Sequence, residues 1–174
     1  NKKGVIVEII AHRGIHDALT RENTIAAFQR AVDSSYSILE LDCRLTKDRR
    51  LVVTHGGWSI YKDKVVFVRD YTLGELVNMN VVIDSEGSDS NNQRRMPTIE
   101  LVLKKFLGKI IINIELKDNL SSLALFGALV SGESESLWSE EDLEKNLVVS
   151  SSILKEVAAF KIFYPGVKTA VGWD

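Results

Sequence analysis

A single cysteine, Cys43, stands among 174 residues, so no disulfide can close within the chain and a reducing compartment is the expected setting. No charge of one sign dominates either. Lys and Arg number 22 against 24 Asp and Glu, a net of −2, and that balance points to neither nucleic acid nor an acidic membrane as partner. No apolar run approaches the roughly 20 residues of a membrane helix. A chain without a transmembrane segment, placed in the cytoplasm, is expected. An internal repeat is lacking, as is an initiator methionine; Asn1-Lys2-Lys3-Gly4-Val5 leads straight into an apolar run, which leaves room for a removed targeting segment. What is present is ordinary globular material, 45% hydrophobic and 26% charged, enough for one domain over 1–174.

Three distant segments each end an apolar run in ionisable residues: Ile9-Ile10-Ala11-His12-Arg13-Gly14, Leu39-Glu40-Leu41-Asp42-Cys43-Arg44 and Ile112-Asn113-Ile114-Glu115-Leu116-Lys117. Read as strands, they alternate with period two. Glu40, Asp42 and Arg44 then share one face and Leu39, Leu41 and Cys43 the other; Asn113, Glu115 and Lys117 likewise oppose Ile112, Ile114 and Leu116. Charge gathered at the C-terminal ends of apolar strands suits a parallel α/β fold, where sites lie at those ends. Carboxylates taken out of water need a partner or a metal, so Glu40, Asp42 and Glu115 together form a candidate site.

The order of elements supports the same class. Strands are expected at about 5–11, 37–44, 51–54, 110–115, 147–151 and 168–173. Helices alternate with them: one opens at Asn23 or Thr24, a short one at the capping box Thr72-Leu73-Gly74-Glu75, one at Pro97-Thr98, one over 123–130, one at Ser139 and one over 153–160. After the third strand comes a longer connection, 56–96, with a mobile polar loop over 84–95. This alternation predicts a TIM-type (β/α)8 barrel, a fold that typically takes about 250 residues. Six strand units are legible, so the last two βα units are expected to be missing from this chain. An open barrel would expose strand edges, which favours a piece of a longer protein.

At this point the chain resembles the glycerophosphodiester phosphodiesterases, metal-dependent enzymes on this barrel. The resemblance rests on His12-Arg13-Gly14, Glu22-Asn23-Thr24 with Ala27-Phe28, Glu40-Leu41-Asp42, Val52-Val53-Thr54-His55, Asp70-Tyr71-Thr72-Leu73-Gly74-Glu75-Leu76, Pro97-Thr98-Ile99-Glu100-Leu101-Val102-Leu103 and Asn113-Ile114-Glu115-Leu116-Lys117, in that order across residues 12–117. It implies His12 and His55 as an acid/base pair. Glu40, Asp42 and Glu115 would hold one divalent cation, Mg²⁺ or Ca²⁺, and Arg13 and Lys117 would contact the substrate phosphate. Glu22 and Asn23 would support the site. The implied partner is a small glycerophosphodiester, hydrolysed to sn-glycerol 3-phosphate and an alcohol. One departure stands out: the family usually has His-Asp where this chain has His55-Gly56.

The chemistry wants such residues. A hard cation takes oxygen ligands and neutralises phosphate charge, and zinc would prefer more nitrogen and sulfur. Guanidinium and ammonium groups suit the phosphoryl oxygens. Histidine, with an ordinary pKa of roughly 6.5, holds either protonation state near neutrality. Other readings of the same residues exist. Glu40 and Asp42 can serve as ion partners of Arg44 or Lys117 without metal, Glu115 can simply pair with Lys117, and Arg13 with Glu22. At the level of function, the alternatives are a barrel without turnover that binds or scaffolds, and a related phosphodiesterase acting on lysolipids or sphingolipids.

Overall fold

A computed structural model describes residues 8–84 and 95–172. The centre is a sheet of mainly parallel strands. Ile10–His12 (β1) pairs with Ile38–Leu45 (β2), which pairs with Ile111–Leu116 (β8), then Leu147–Ser151 (β9) and Lys168–Val171 (β10). Between β2 and β8 the chain forms Leu51–Val53 (β3), the hairpin Trp58–Tyr61 (β4) and Lys64–Phe67 (β5), and the short pair Val82–Ile83 (β6) and Met96–Pro97 (β7).

Alternation decides which face is which. Leu39, Leu41 and Cys43 of β2 and Ile112, Ile114 and Leu116 of β8 are fully buried under the helices Ile25–Asp33 (α1), Ile99–Phe106 (α3), Ser121–Ser134 (α4) and Leu154–Phe163 (α6). Phe28 of α1 meets Phe106 of α3 edge-on at 6.1 Å. Each of these large side chains contributes roughly 1.5–3 kcal/mol by leaving water. The even-numbered residues Glu40 and Asp42, with the odd-numbered Asn113 and Glu115, therefore occupy the opposite face. A second, smaller cluster, with Val52, Val66, Val68 and Leu76 in it, packs under the hairpin and Leu73–Asn78 (α2).

The helix starts are as expected. Thr24, Thr72, Thr98 and Ser139 cap α1, α2, α3 and Glu140–Asn146 (α5), with full capping boxes at α2 and α5. Helix α4 has no such side chain of its own. Glu156, buried on α6, accepts from the Leu120 and Ser122 amides at 2.8 and 3.0 Å and from the Ser122 hydroxyl at 2.7 Å. These bonds satisfy amides that the first turn of α4 leaves open.

Two expectations are corrected. Leu51–Val53 is a strand but not a unit of the parallel sheet: it runs antiparallel to β2, Cys43 opposite Val53 and Leu45 opposite Leu51. Because β8 lines one edge of β2, β1 and β3 share the other. The main sheet thus has five parallel strands among the described residues, and Lys168–Val171 is its fifth rather than its sixth. Within the long connection expected over 56–96, Trp58–Tyr61 is the first arm of the β4–β5 hairpin. The polar loop expected over 84–95 lies, at 85–94, outside the described residues, as does Trp173. No helix among the described residues is long and apolar enough to cross a membrane.

Candidate active site

Register brings the sequence candidates together. His12 of β1 stands beside Glu40, Glu40 beside Asn113, and Asp42 beside Glu115. Ligand oxygens of Glu40, Asp42 and Glu115 lie within 4.8 Å of one another. Asp42 is fully buried, 0% exposed, and Glu40 is nearly so. Three carboxylates held this close repel each other, which requires positive charge nearby.

Part of that charge comes from the two basic candidates. Arg13 Nε is 3.0 Å from Asp42 Oδ2, and its Nη1 is 3.2 Å from Glu22 Oε2. Lys117 Nζ is 2.7 Å from Glu115 Oε1 and 3.4 Å from Asp42 Oδ1. His12 Nε2 lies 3.8 Å from Glu40 Oε2, and its side chain is 66% exposed, open to a ligand from solvent. Even so, Glu40 Oε1 is buried with no hydrogen-bond donor, and Asp42 Oδ1, also buried, has no partner nearer than the Lys117 ammonium. Acceptors left so in a protein interior are uncommon and costly, and a hard divalent cation is the chemical group that fits them.

The loop after β1 is built to deliver Arg13. Arg13 sits at φ 58°, where its backbone amide donates to Glu40 Oε2 at 2.9 Å. Gly14 follows at φ 79°, and a Cβ there would press on the Ala27 backbone at 2.8 Å, so only glycine lets the loop lie on α1. The Arg13 carbonyl accepts from the Asn23 amide at 3.0 Å. Asn23, itself at φ 56°, then grips Asp42 twice: its Nδ2 donates to Asp42 Oδ2 at 2.9 Å and its Oδ1 accepts from the Asp42 backbone amide at 3.2 Å. The expected supporting roles of Glu22 and Asn23 thus have a geometry, one holding Arg13 and the other Asp42.

His55 reaches the same region from β3. Thr54 donates its amide to the Asp42 carbonyl at 2.9 Å, and His55 with Glu22, Asn23 and Trp58 lines a cleft of about 190 Å³. Arg44, placed by alternation on the face of the acids, turns away from them. Its Nε donates to the His55 carbonyl at 2.7 Å, and its Nη1 pairs with Asp118 at 2.9 Å. Asp118 also accepts from the Leu45 amide at 2.8 Å. Sequence reasoning missed Asp118, whose partners Arg44 and Leu45 lie 74 and 73 residues away in the chain. Gly57, at φ 67°, leaves the space Arg44 needs, since a Cβ there would lie 2.7 Å from Arg44 Cδ. At Gly56 a Cβ would lie 2.7 Å from the Trp58 indole nitrogen, so the indole fills the room where the family usually has an aspartate.

Comparison with known proteins decides the family. The sequence profile of the glycerophosphoryl diester phosphodiesterase family matches residues 12–159. The chain belongs to that family. Bacillus subtilis YhdW is 36% identical over 94% of this chain. The glycerophosphodiester phosphodiesterase of Caldanaerobacter subterraneus is 33% identical over 82% of it. A solved glycerophosphodiester phosphodiesterase from Thermotoga maritima superposes with a TM-score of 0.67 at 26% identity over 98% of this chain. The chain spans 64%, 57% and 64% of those three proteins. Its fold is accordingly the TIM-type (β/α)8 class, of which the five parallel strands above are the part described.

The family site carries one unusual carboxyl. Burial, then the neighbouring Asp42, raises Glu40 from 4.5 to about 7, and Glu115 adds to the push. The unfolded chain ionises Glu40 at the ordinary value while the folded chain keeps the proton up to about 7. Stability without a cation is therefore expected to fall as pH rises from about 4.5 to about 7 and then to level off, by roughly 3 kcal/mol at about 1.4 kcal/mol per unit. Below that window the lowered carboxyls, Asp17 at about 2 among them, act in the opposite sense. Thermal denaturation in chelator from pH 5 to 7.5 checks this. A melting temperature flat across the window would contradict it, and saturating Mg²⁺ or Ca²⁺ should flatten the slope.

Proposed function

We propose that this chain hydrolyses glycerophosphodiesters to sn-glycerol 3-phosphate and an alcohol, with one divalent cation, Mg²⁺ or Ca²⁺, held by Glu40, Asp42 and Glu115. The observation that carries the reading is the buried carboxylate group, in which Glu40 Oε1 meets no donor and Asp42 Oδ1 has only the Lys117 ammonium, at 3.4 Å. Family membership and the relative named glycerophosphodiester phosphodiesterase supply the substrate class. A cation at this site would neutralise phosphoryl charge.

The chain's own residues do the rest. Arg13 and Lys117, which neutralise the acids in the absence of a cation, would turn to the phosphate oxygens. Arg13 is suited to two oxygens at once, and Lys117 to one. Of the two histidines, one takes the proton of the attacking water and the other gives a proton to the departing alcohol as the phosphorus–oxygen bond breaks. Exposure of His12 at the strand end and the fixing of the His55 backbone by Arg44 support this pairing. The lone, buried Cys43 thiol supports the cytoplasm as the compartment.

A second reading, a barrel that binds without turnover, has Gly56 in its favour, with the indole of Trp58 in place of a carboxylate. Release of glycerol 3-phosphate from sn-glycero-3-phosphocholine, measured with Mg²⁺, with Ca²⁺ and with chelator, separates the two. Cation-dependent release is the expected outcome. A folded protein that binds the cation and releases nothing would favour the second reading.

A further inference from the structure

Two glycines follow His55, and a Gly-Gly step gives a chain its widest choice of backbone angles. Local sequence therefore does not fix where His55 stands; bonds from elsewhere do. The Thr54 amide donates to the Asp42 carbonyl at 2.9 Å, and the Gly57 carbonyl accepts from the Val68 amide at 2.8 Å. Between them the His55 carbonyl accepts from Arg44 Nε at 2.7 Å. Arg44 is the one side chain in this set. Gly56, where the family usually has aspartate, adds none.

Arg44 is itself held on its other edge. Asp118 takes its Nη1 on Oδ1 at 2.9 Å and the Leu45 amide on Oδ2 at 2.8 Å. The preceding Lys117 amide donates to the Cys43 carbonyl at 3.1 Å. Three bonds thus lace the end of β2 to the two residues after β8, and the guanidinium carries that frame across to the loop after β3. Lys117, with its ammonium on Glu115 and Asp42, stands at one end of the frame and His55 at the other.

Stability does not account for this arrangement. The Arg44 and Asp118 side chains are 30% and 31% exposed, and an ion pair so open to water adds little. What a guanidinium does supply is geometry, because its planar fork fixes two partners relative to each other. We infer that Arg44 and Asp118 are positioning residues, which hold the His55 loop at a set place relative to Lys117. The inference rests on the hydrolase reading above, with His55 in the proton transfers.

The test is a double-mutant cycle. Arg44→Met keeps an aliphatic stem and removes every donor. With sn-glycero-3-phosphocholine and Mg²⁺, its kcat is expected to fall about 10- to 10²-fold, the worth of a misplaced catalytic group. KM and Mg²⁺ affinity should stay within about threefold, and the melting temperature within about 4 °C. Asp118→Asn breaks the ion pair but can keep the Leu45 bond, so it should act in the same direction by less. Lost stability alone would lower turnover by one factor in any background. Lost positioning would not: within His55→Ala, Arg44→Met should cost at most about twofold, since no imidazole remains at 55 to be placed.

A second readout needs no turnover. The chain has three histidines, His12, His16 and His55, and their imidazole ¹H–¹³C resonances are assigned by substitution. In Arg44→Met the His55 resonance should shift or broaden while that of His16 stays. Equal losses in the two backgrounds overturn the inference, and so does an unmoved His55 resonance with parental turnover. A shifted His55 resonance in a protein whose parent releases no glycerol 3-phosphate would sink the hydrolase reading and leave the hold of Arg44 on His55 standing.

Discussion

His12→Ala is expected to lower turnover of a glycerophosphodiester by about 10²- to 10⁴-fold, the usual worth of a positioned acid or base. The imidazole sits at the end of β1 beside Glu40, 3.8 Å from its Oε2, and is mostly exposed. Its loss opens no cavity, and Glu40 Oε2 keeps the Arg13 amide as a donor, so stability should stay within roughly 0.5 kcal/mol of the parent. Cation affinity should likewise hold, because the histidine is outside the carboxylate group. Kinetics with sn-glycero-3-phosphocholine, read beside a thermal melt and a Mg²⁺ titration, separate these effects. Turnover near the parental rate would remove His12 from the chemistry. A coupled loss of cation binding would reassign it to the metal site.

Asp42→Ala should instead act on everything at once. Asp42 is fully buried and holds Arg13, Lys117 and both ends of the Asn23 amide. Its backbone bond to Asn23 survives the substitution, but Arg13 and Lys117 each lose a counter-charge where water is scarce. Breaking a buried ion pair by deleting one partner costs about 3–5 kcal/mol. For a chain of this size that corresponds to a fall in melting temperature of roughly 6–20 °C. The rise in melting temperature that Mg²⁺ or Ca²⁺ gives the parent should vanish. Asp42→Asn keeps the volume and offers a milder version: stability partly recovered, cation response still absent. A cation-induced shift of parental size in Asp42→Asn would sink the proposed ligand set.

The site was more legible in the sequence than the sheet around it, for a physical reason. Glu40 and Asp42, two residues apart in an apolar run, have to share a face of any strand that run forms, and so do Asn113 and Glu115. Register then had only to bring two such strands side by side. The direction of Leu51–Val53 carries no such mark, because all three residues are buried and a fully apolar triplet has no alternation to read. Its preceding loop was the better guide. Residues 46–50 are too few to carry a crossover to a parallel strand, which takes a dozen or more.

The hairpin hid itself differently. Its two-residue turn is Lys62-Asp63, both at positive φ, with none of the Asn-Gly or Asp-Gly chemistry that usually announces such a turn. Glu156 and Asp118 were illegible as partners for a third reason. They complete amides 34 to 73 residues away in the chain, and nothing local records a bond of that span.

The double grip of Asn23 on Asp42 has a consequence for how an ion can be held. With Asn23 Nδ2 and Arg13 Nε already on Asp42 Oδ2, and the Arg13 amide on Glu40 Oε2, each of these two carboxylates has a single oxygen left to offer. If they hold the proposed ion, both would do so through one oxygen each. A coordination sphere of six or more positions would then draw at most a minority of its ligands from this pair, with the balance falling to Glu115, to water and to the phosphate itself. On the proposed reading, the chain would thus leave room at the ion for the phosphodiester.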